Sequence, residues 1–220
     1  MNLEPEIPFT VTAHSGCMDL PDNSIEAMRA GVDAGADIVE FDLQYNAEGV
    51  PMLSHDEPVP DDCRTLEDAF AFMREYPRIK ANIDVKSTAF LETVPVLAEK
   101  YGVADRIFLT GVGEDFVPAV REKCPGIVYY LNVPVFKWTN PDTLAKKIRK
   151  AGAVGANFHF SGLTPKMARM LHGHGLLVSV WTVNADRDIR RVLKCRPDNI
   201  TSRRPDAVIR LAKGKSVDSE

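Results

Sequence analysis

Polar side chains that could do chemistry stand at the ends of the first short apolar runs of this 220-residue chain. His14 follows one such run, and Glu40 and Asp42 interrupt the next. Residues two apart in a strand point the same way, so these two carboxylates converge on one face. Carboxylates taken out of water need a partner or a cation, and hard cations prefer oxygen ligands. The pattern therefore predicts a site for one divalent cation, Ca²⁺ or Mg²⁺.

A second histidine accompanies these acids. Asn46-Ala47-Glu48-Gly49 predicts a tight turn, so the run 50–54 pairs with the preceding strand as a hairpin. His55, which follows that run, then reaches the same rim as the end of the first strand. Imidazoles donate and accept protons near neutral pH, so a cation beside His14 and His55 indicates hydrolysis or transesterification of a phosphate ester. Which histidine is the acid and which the base is not encoded. The neighbouring Asp56 either orients His55 or begins a turn.

Three further residues stand near the ends of later runs. Asp84 and Lys86 share one strand face, as part of the site or as a structural ion pair. Trp181 either stacks on a substrate or packs in the wall of the site.

The elements that must position these residues alternate regularly along the chain. Short apolar runs predict strands at 9–13, 37–43, 80–85, 106–110, 127–131, 153–158, 176–180 and 198–201. Amphipathic stretches predict helices at 24–34, 65–75, 88–100, 115–123, 141–150, 164–173, 185–193 and 205–212. We expect Asn23 to cap the first of these helices.

Eight strand–helix units without a low-complexity linker predict a single-domain (β/α)8 TIM barrel over 1–220, with flexible ends at 1–8 and 213–220. A doubly wound open sheet is the alternative, although no G-x-G-x-x-G follows the first strand. In both architectures the site lies at the carboxyl ends of the strands.

Composition excludes several classes of function. The net charge is −4 and no basic block is present, so we expect no nucleic-acid surface. The four cysteines are scattered, which predicts free thiols in a reducing compartment. The first residues lack the features of a signal peptide, and no run is long enough to span a membrane. These features predict a cytoplasmic protein that acts on a small molecule. They leave its oligomeric state open.

In order along residues 11 to about 210, the chain resembles the glycerophosphodiester phosphodiesterases. The segments that carry the resemblance are Ala13-His14-Ser15-Gly16, Pro21-Asp22-Asn23-Ser24, Gly35 to Asp42, Gly49-Val50-Pro51 with His55-Asp56, Asn82 to Lys86, Val180 to Asn184, and Asp198 to Thr201 with Arg204-Pro205. The resemblance implies a TIM barrel and a divalent cation held by Glu40, Asp42 and the third-strand carboxylate, here Asp84. It also implies that His14 and His55 form the acid–base pair.

The chain departs from the family pattern at three places. Ser15 replaces an arginine that grips the phosphate, so we expect Ser15 to hydrogen-bond phosphate and Lys86 to neutralise a phosphate oxygen. Asp84 replaces a glutamate and is one methylene shorter. The insertion that usually follows the His-Asp pair is short or absent, because Glu57 to Arg64 alone precedes the next helix.

These features together predict metal-dependent hydrolysis of a glycerophosphodiester-type ester to an alcohol and a phosphomonoester. One alternative is a cyclising lyase similar to phospholipase D. Asp84 and an apolar rim near Phe136 and Trp138 favour this alternative. Another is a barrel that binds a phosphate ester without turnover, and Ser15 in place of the arginine is the reason to consider it. The sequence does not encode the alcohol of the substrate.

Overall fold

The computed structural model describes residues 7–134 and 140–214. Phe136 and Trp138, which the sequence placed near the rim of the site, lie outside the described residues. The same holds for 1–6 and 215–220 of the two predicted flexible ends. Among the residues that are described, no helix combines the length and the apolar character needed to cross a bilayer.

Nine strands occur in the described part of the chain. They are β1 (Thr10–Ala13), β2 (Ile38–Tyr45), β3 (Pro51–Leu53), β4 (Lys80–Val85), β5 (Ile107–Val112), β6 (Tyr129–Val133), β7 (Gly155–His159), β8 (Leu177–Trp181) and β9 (Asn199–Ser202). The α-helices of the same part are α1 (Ile25–Asp33), α2 (Leu66–Glu75), α3 (Thr93–Tyr101), α4 (Val117–Lys123), α5 (Pro141–Ala151), α6 (Pro165–Gly173), α7 (Asp186–Leu193) and α8 (Pro205–Ala212).

All strands except β3 are parallel and close into a barrel. The order of neighbours is β1-β9-β8-β7-β6-β5-β4-β2, and β1 also pairs with β2. An open doubly wound sheet has two free edges, whereas β1 here has a hydrogen-bonded neighbour on each side. The predicted single-domain (β/α)8 TIM barrel is therefore confirmed.

The strand β3 lies outside the barrel, antiparallel to β2. Leu43 pairs with Leu53 and Tyr45 with Pro51, as in the predicted hairpin. Residues 54–65 then lead directly to α2, so the short connection after the second barrel strand is also confirmed. A capping box between Thr65 and Asp68 starts α2 and ends this connection at a defined place.

The core lies between the barrel and its ring of helices. On α2, for example, Leu66, Phe70 and Met73 recur at helical spacing and are fully buried. Burial of such an apolar stripe contributes about 25 cal/mol of stabilising free energy per Å² of apolar surface. It holds the helix against the outside of the strands. The inner faces of the strands carry the polar residues of the candidate site.

The helix predicted at 88–100 begins only at Thr93. The carbonyls of Thr88 and Ala89 accept hydrogen bonds from Lys123 Nζ at 3.0 and 2.9 Å. Phe90 packs edge-on against Tyr45, with ring centroids 5.7 Å apart. Tertiary contacts thus hold this segment in a non-helical form that its local composition does not reveal.

Candidate active site

A small cavity of about 60 Å³ opens at the carboxyl ends of the barrel strands. Its walls are formed by His14, Glu40, Asp42, His55, Asp84, Lys86, Thr110, Asn157 and Trp181. The structure thus brings together all the predicted site residues except Ser15, and it adds Thr110 and Asn157.

Strand periodicity and register place the acids of the cavity. Glu40 and Asp42 alternate with buried apolar residues on β2, so both face the barrel interior. On the neighbouring strand β4, Asn82 pairs with Glu40 and Asp84 pairs with Asp42. The third carboxylate therefore lies directly beside the second, as parallel pairing requires.

Lys86 lies between two of these acids. Its Nζ is 3.0 Å from Asp42 Oδ1 and 2.6 Å from Asp84 Oδ2. Burial opposes the charge of this ammonium, but Asp84 and Asp42 outweigh that effect and raise the pKa of Lys86. A partly buried cation thus joins Asp42 to Asp84, as the ion-pair interpretation of Lys86 expected.

The charged form of Glu40 is less well stabilised than that of Asp42 or Asp84. Its Oε2 accepts a hydrogen bond of 2.6 Å from Asn82 Nδ2. Burial, followed by the negative charges of Asp84 and Asp42, raises the pKa of Glu40 well above its ordinary value. The cavity therefore holds more carboxylate than its one ammonium can compensate.

This excess of buried carboxylate is what a divalent cation would relieve, and oxygen ligands suit Ca²⁺ and Mg²⁺. As the side chains stand, no group of His, Cys, Asp and Glu in residues 7–134 and 140–214 is spaced to enclose a metal ion. The Lys86 ammonium fills the gap between Asp42 and Asp84. The donor set therefore fits a hard cation by charge and chemistry.

His14 follows β1, and its backbone N–H bonds Ser202 O of the adjoining strand end at 2.9 Å. Its Nε2 lies 3.8 Å from Glu40 Oε1. Burial, and then the positive charge of Arg203, lower the pKa of His14 despite the nearby carboxylates. A lowered pKa favours the neutral ring, in which one nitrogen can accept a proton.

His55 lies on the loop after β3 and is largely exposed, with 64% of its side chain accessible. Its Nδ1 is 2.6 Å from Asp56 Oδ1. Of the two roles considered for Asp56, this contact favours orientation of the imidazole. The two histidines line the same cavity but differ sharply in their exposure to water.

Ser15 is the predicted site residue that the cavity does not include. It is buried, and its Oγ lies 3.2 Å from both His14 Nδ1 and Asp22 Oδ1. The hydroxyl thus faces the back of the His14 ring, and a contact between Ser15 and phosphate stays a prediction.

Asn23 has a role that sequence reasoning missed. The predicted cap at Asn23 is wrong, because Ser24 Oγ caps α1 by accepting from Ala27 N. Asn23 instead donates from Nδ2 to Asp42 Oδ2 at 3.0 Å and accepts from Asp42 N at 2.9 Å. The Pro-Asp-Asn-Ser motif was the available signal. The loop holds Asn23 at a φ of 61°, which asparagine tolerates better than most residues.

Thr110 and Asn157 were also missed, although each interrupts an apolar run as Glu40 does. Thr110 Oγ1 lies 3.0 Å from Asp84 Oδ1. Asn157 Nδ2 donates to Asn132 Oδ1, which leaves Asn157 Oδ1 without a hydrogen-bond partner among the described residues. The same is true of the indole Nε1 of Trp181. Trp181 forms part of the cavity wall and meets His159 edge-on, with ring centroids 5.5 Å apart.

Solved structures share this architecture. A glycerophosphodiester phosphodiesterase from Parabacteroides distasonis superposes with a TM-score of 0.81 at 17% identity, covering 96% of this chain and 99% of its own. A phosphodiesterase from Oleispira antarctica, solved in complex with the product sn-glycerol-3-phosphate, gives a TM-score of 0.79 at 15% identity, covering 94% and 97%. At these identities the similarity establishes the fold alone.

Sequence comparison extends the relationship beyond the fold. A glycerophosphodiester phosphodiesterase from Caldanaerobacter subterraneus subsp. tengcongensis is 23% identical over 238 residues, covering 92% of this chain and 97% of the relative. The model of the glycerophosphoryl diester phosphodiesterase family matches residues 14–75 and 60–207, which include every residue of the cavity wall. The chain therefore belongs to the glycerophosphoryl diester phosphodiesterase family, a family of phosphoric diester hydrolases.

Proposed function

We propose that this protein hydrolyses a glycerophosphodiester to an alcohol and a phosphomonoester, with one divalent cation as cofactor. The observation that carries the proposal is the meeting of two imidazoles, three carboxylates and one ammonium in a single cavity at the carboxyl end of the barrel. Membership of the family supports the reaction class. The relative solved with sn-glycerol-3-phosphate supports a small-molecule substrate.

Glu40, Asp42 and Asp84 would hold the cation, since they are the acids of the cavity wall. When bound, Ca²⁺ or Mg²⁺ supplies Lewis-acid stabilisation of the charge that develops on a non-bridging phosphate oxygen. Lys86, which contacts Asp42 and Asp84, would neutralise a second phosphate oxygen.

The two histidines move the protons. One removes a proton from the attacking water or from a neighbouring hydroxyl of the substrate, and the other protonates the departing alkoxide. The unpaired atoms Asn157 Oδ1 and Trp181 Nε1 supply an acceptor and a donor beside the same cavity. Buried polar atoms without partners are costly, so they favour a polar ligand over an apolar one.

The four free cysteines support a reducing compartment, and we propose that the protein acts in the cytoplasm.

Separate substitutions of the histidines test the proposal. His14→Ala and His55→Ala should each lower turnover of glycerophosphocholine roughly 10²-fold or more, because each removes one proton-transfer group. His172→Ala is the matched control, since His172 pairs with Asp198 outside the cavity wall and should keep wild-type turnover. Near-full activity in both cavity variants, with circular dichroism confirming that they fold, would contradict the mechanism.

Cation dependence and product identity complete the test. EDTA should abolish turnover, and added Ca²⁺ or Mg²⁺ should restore it. Phosphorus NMR should show a phosphomonoester as the product. Accumulation of a cyclic phosphate would instead identify the lyase, and metal-dependent binding without any product would identify a binding barrel.

A further inference from the structure

A line of polar contacts connects the inner histidine to the surface of the barrel. Ser15 Oγ lies 3.2 Å from His14 Nδ1 and 3.2 Å from Asp22 Oδ1. Asp22 Oδ1 also accepts a hydrogen bond of 2.8 Å from Arg203 Nη2. Ser15 is only 3% exposed, so water cannot compete for its hydroxyl. The contacts of this hydroxyl therefore have to be satisfied by the side chains around it.

The single proton of the Ser15 hydroxyl decides the direction of these hydrogen bonds. A serine hydroxyl has one proton to donate and lone pairs with which to accept. The two possible acceptors, His14 Nδ1 and Asp22 Oδ1, lie at the same distance of 3.2 Å from Ser15 Oγ. At equal distance a charged carboxylate attracts the hydroxyl proton more strongly than a neutral ring nitrogen does, so the Ser15 proton goes to Asp22. The lone pairs of Ser15 Oγ are then left to face His14 Nδ1. That ring nitrogen must carry a proton for the contact to be favourable.

The backbone N–H of Gly16 favours the opposite tautomer, because it also points at His14 Nδ1. Its nitrogen lies 3.5 Å from that atom. This is beyond the range of about 2.7–3.2 Å in which N–H donors form good hydrogen bonds. Glu40 Oε1 also favours a proton on Nε2, but it lies 3.8 Å from that nitrogen, beyond hydrogen-bond distance. The Ser15 contact at 3.2 Å is shorter than both of these, so it dominates the choice of tautomer.

Glycine at position 16 permits this arrangement. A Cβ at Gly16 would lie 2.1 Å from Asp22 Oδ1 and 2.7 Å from Arg203 Nη1. Arg203 Nη1 in turn donates to the carbonyl of Gly16 at 3.0 Å. The absence of a side chain at Gly16 therefore allows Asp22 to approach the His14 loop closely, and Arg203, which follows β9, holds the two together.

We propose that Ser15 and Asp22 are positioning residues that hold His14 with its proton on Nδ1 and direct the lone pair of Nε2 towards the cavity. Nε2 is the ring nitrogen that lies 3.8 Å from Glu40 Oε1, in the wall of the site.

The catalytic consequence rests on the proposed function and assigns the roles of base and acid to the two histidines. His14 Nε2 takes the proton of the attacking water or hydroxyl as that oxygen forms its bond to phosphorus. The ester P–O bond breaks, and His55 gives its proton to the departing alkoxide. Asp22, acting through Ser15, stabilises the His14 imidazolium that forms.

Nitrogen NMR of the uniformly ¹⁵N-labelled protein tests the tautomer without substrate, cation or turnover. At pH 8, His14 should show a protonated Nδ1 and an unprotonated Nε2. Ser15→Ala should reduce this preference, because Gly16 N–H then remains as the contact at Nδ1. A proton on Nε2 in the wild type, or the same tautomer in Ser15→Ala, would overturn the proposal.

Kinetics with glycerophosphocholine separate this role from a direct contact with phosphate. Ser15→Ala and Asp22→Asn should lower kcat by roughly 10- to 100-fold, a range typical of groups that orient a functional side chain. KM should change less than about 2-fold, because ground-state binding is not affected. Ser15→Thr keeps the hydroxyl and should retain most of the wild-type kcat.

Asp19→Asn is the matched control, because Asp19 is an exposed acid on the same loop. It should leave kcat and the His14 tautomer unchanged. A loss confined to KM in Ser15→Ala would assign Ser15 to phosphate binding and refute the positioning role. If the wild type does not turn over any glycerophosphodiester, the proposed function fails, while the NMR experiment still decides the tautomer.

Discussion

At the scale of single residues, Lys86 determines how much negative charge the cavity tolerates. Among the described residues that line the cavity, it carries the one permanent positive charge. It contacts Asp42 and Asp84, whose side chains are mostly buried, while Glu40 accepts a hydrogen bond from the neutral Asn82. Buried carboxylates that lose their cation repel one another and cannot recover full hydration. Lys86 and the proposed divalent cation would therefore compensate the same carboxylates when no substrate is bound.

Lys86→Met should lower the free energy of unfolding by about 1–3 kcal/mol in EDTA, because Asp42 and Asp84 lose their partner. Added Ca²⁺ or Mg²⁺ should stabilise this variant more than the wild type, as measured by urea unfolding. Lys100→Met is the control, since its pair with Glu67 is largely exposed and should add little to the free energy of unfolding. An equal response of variant and wild type to the cation would argue against a cation site among these acids.

At the scale of elements, the irregular strand β5 allows the site to assemble. The register between β5 and β6 shifts between Leu109 and Val112. Gly111 lies within this irregularity at a φ of 72°, and its N–H bonds Asn132 Oδ1 at 3.2 Å. A Cβ at Gly111 would lie 2.5 Å from Val85 O and 2.7 Å from Asp84 Oδ1. The irregularity thus brings the backbone of Gly111 into contact with β4, the strand that carries Asp84.

Gly111→Ala should therefore displace Asp84 as well as strain the backbone. We expect a loss of roughly 2–4 kcal/mol in urea unfolding, combining backbone strain and overpacking, together with a fall in kcat/KM. Gly126→Ala is matched to it, because Gly126 has a φ of 86° but open space where the Cβ would be. The control should lose about 1 kcal/mol and no activity. Equal effects of the two substitutions would show that the close approach at Asp84 is unimportant.

At the scale of the whole molecule, closure of the barrel buries most of the thiols. Cys17, Cys124 and Cys195 are buried, and Cys63, on the loop before α2, is partly exposed. Burial raises the pKa of Cys124 to about 12 and that of Cys17 to about 11. A raised thiol pKa means less of the reactive thiolate at a given pH. Access and ionisation therefore both protect the core thiols while the barrel is closed.

Thiol labelling at pH 8 should accordingly modify Cys63 in the native protein and leave the other three unreacted. The thiols of Cys124 and Cys195 should react only across the urea transition that circular dichroism reports, because both lie in the core that links the barrel and its helices. Cys63→Ser should remove the reactive thiol of the native state. Labelling of Cys124 well below that transition would reveal partial opening of the barrel.

The sequence by itself was enough for the architecture and for most of the cavity wall. Alternation of apolar runs and amphipathic stretches predicted the barrel, and the period of a strand put Glu40 and Asp42 on one face. The hairpin after β2 also followed from local turn chemistry, and it carried His55 to the rim. Such features depend on residues close together in the chain, where backbone geometry alone sets direction.

The tertiary structure decided which side chains meet across the barrel. Arg203 reaches Asp22 from the far end of the chain, and Asp42 and Asp84 become neighbours through the register of β2 and β4. Lys86 contacts both of those acids, and Ser15 turns towards His14 and Asp22. These contacts depend on strand register and ring closure, which bring distant segments within hydrogen-bond distance. No spacing along the sequence encodes that distance, because it is set only when every strand has found both of its neighbours.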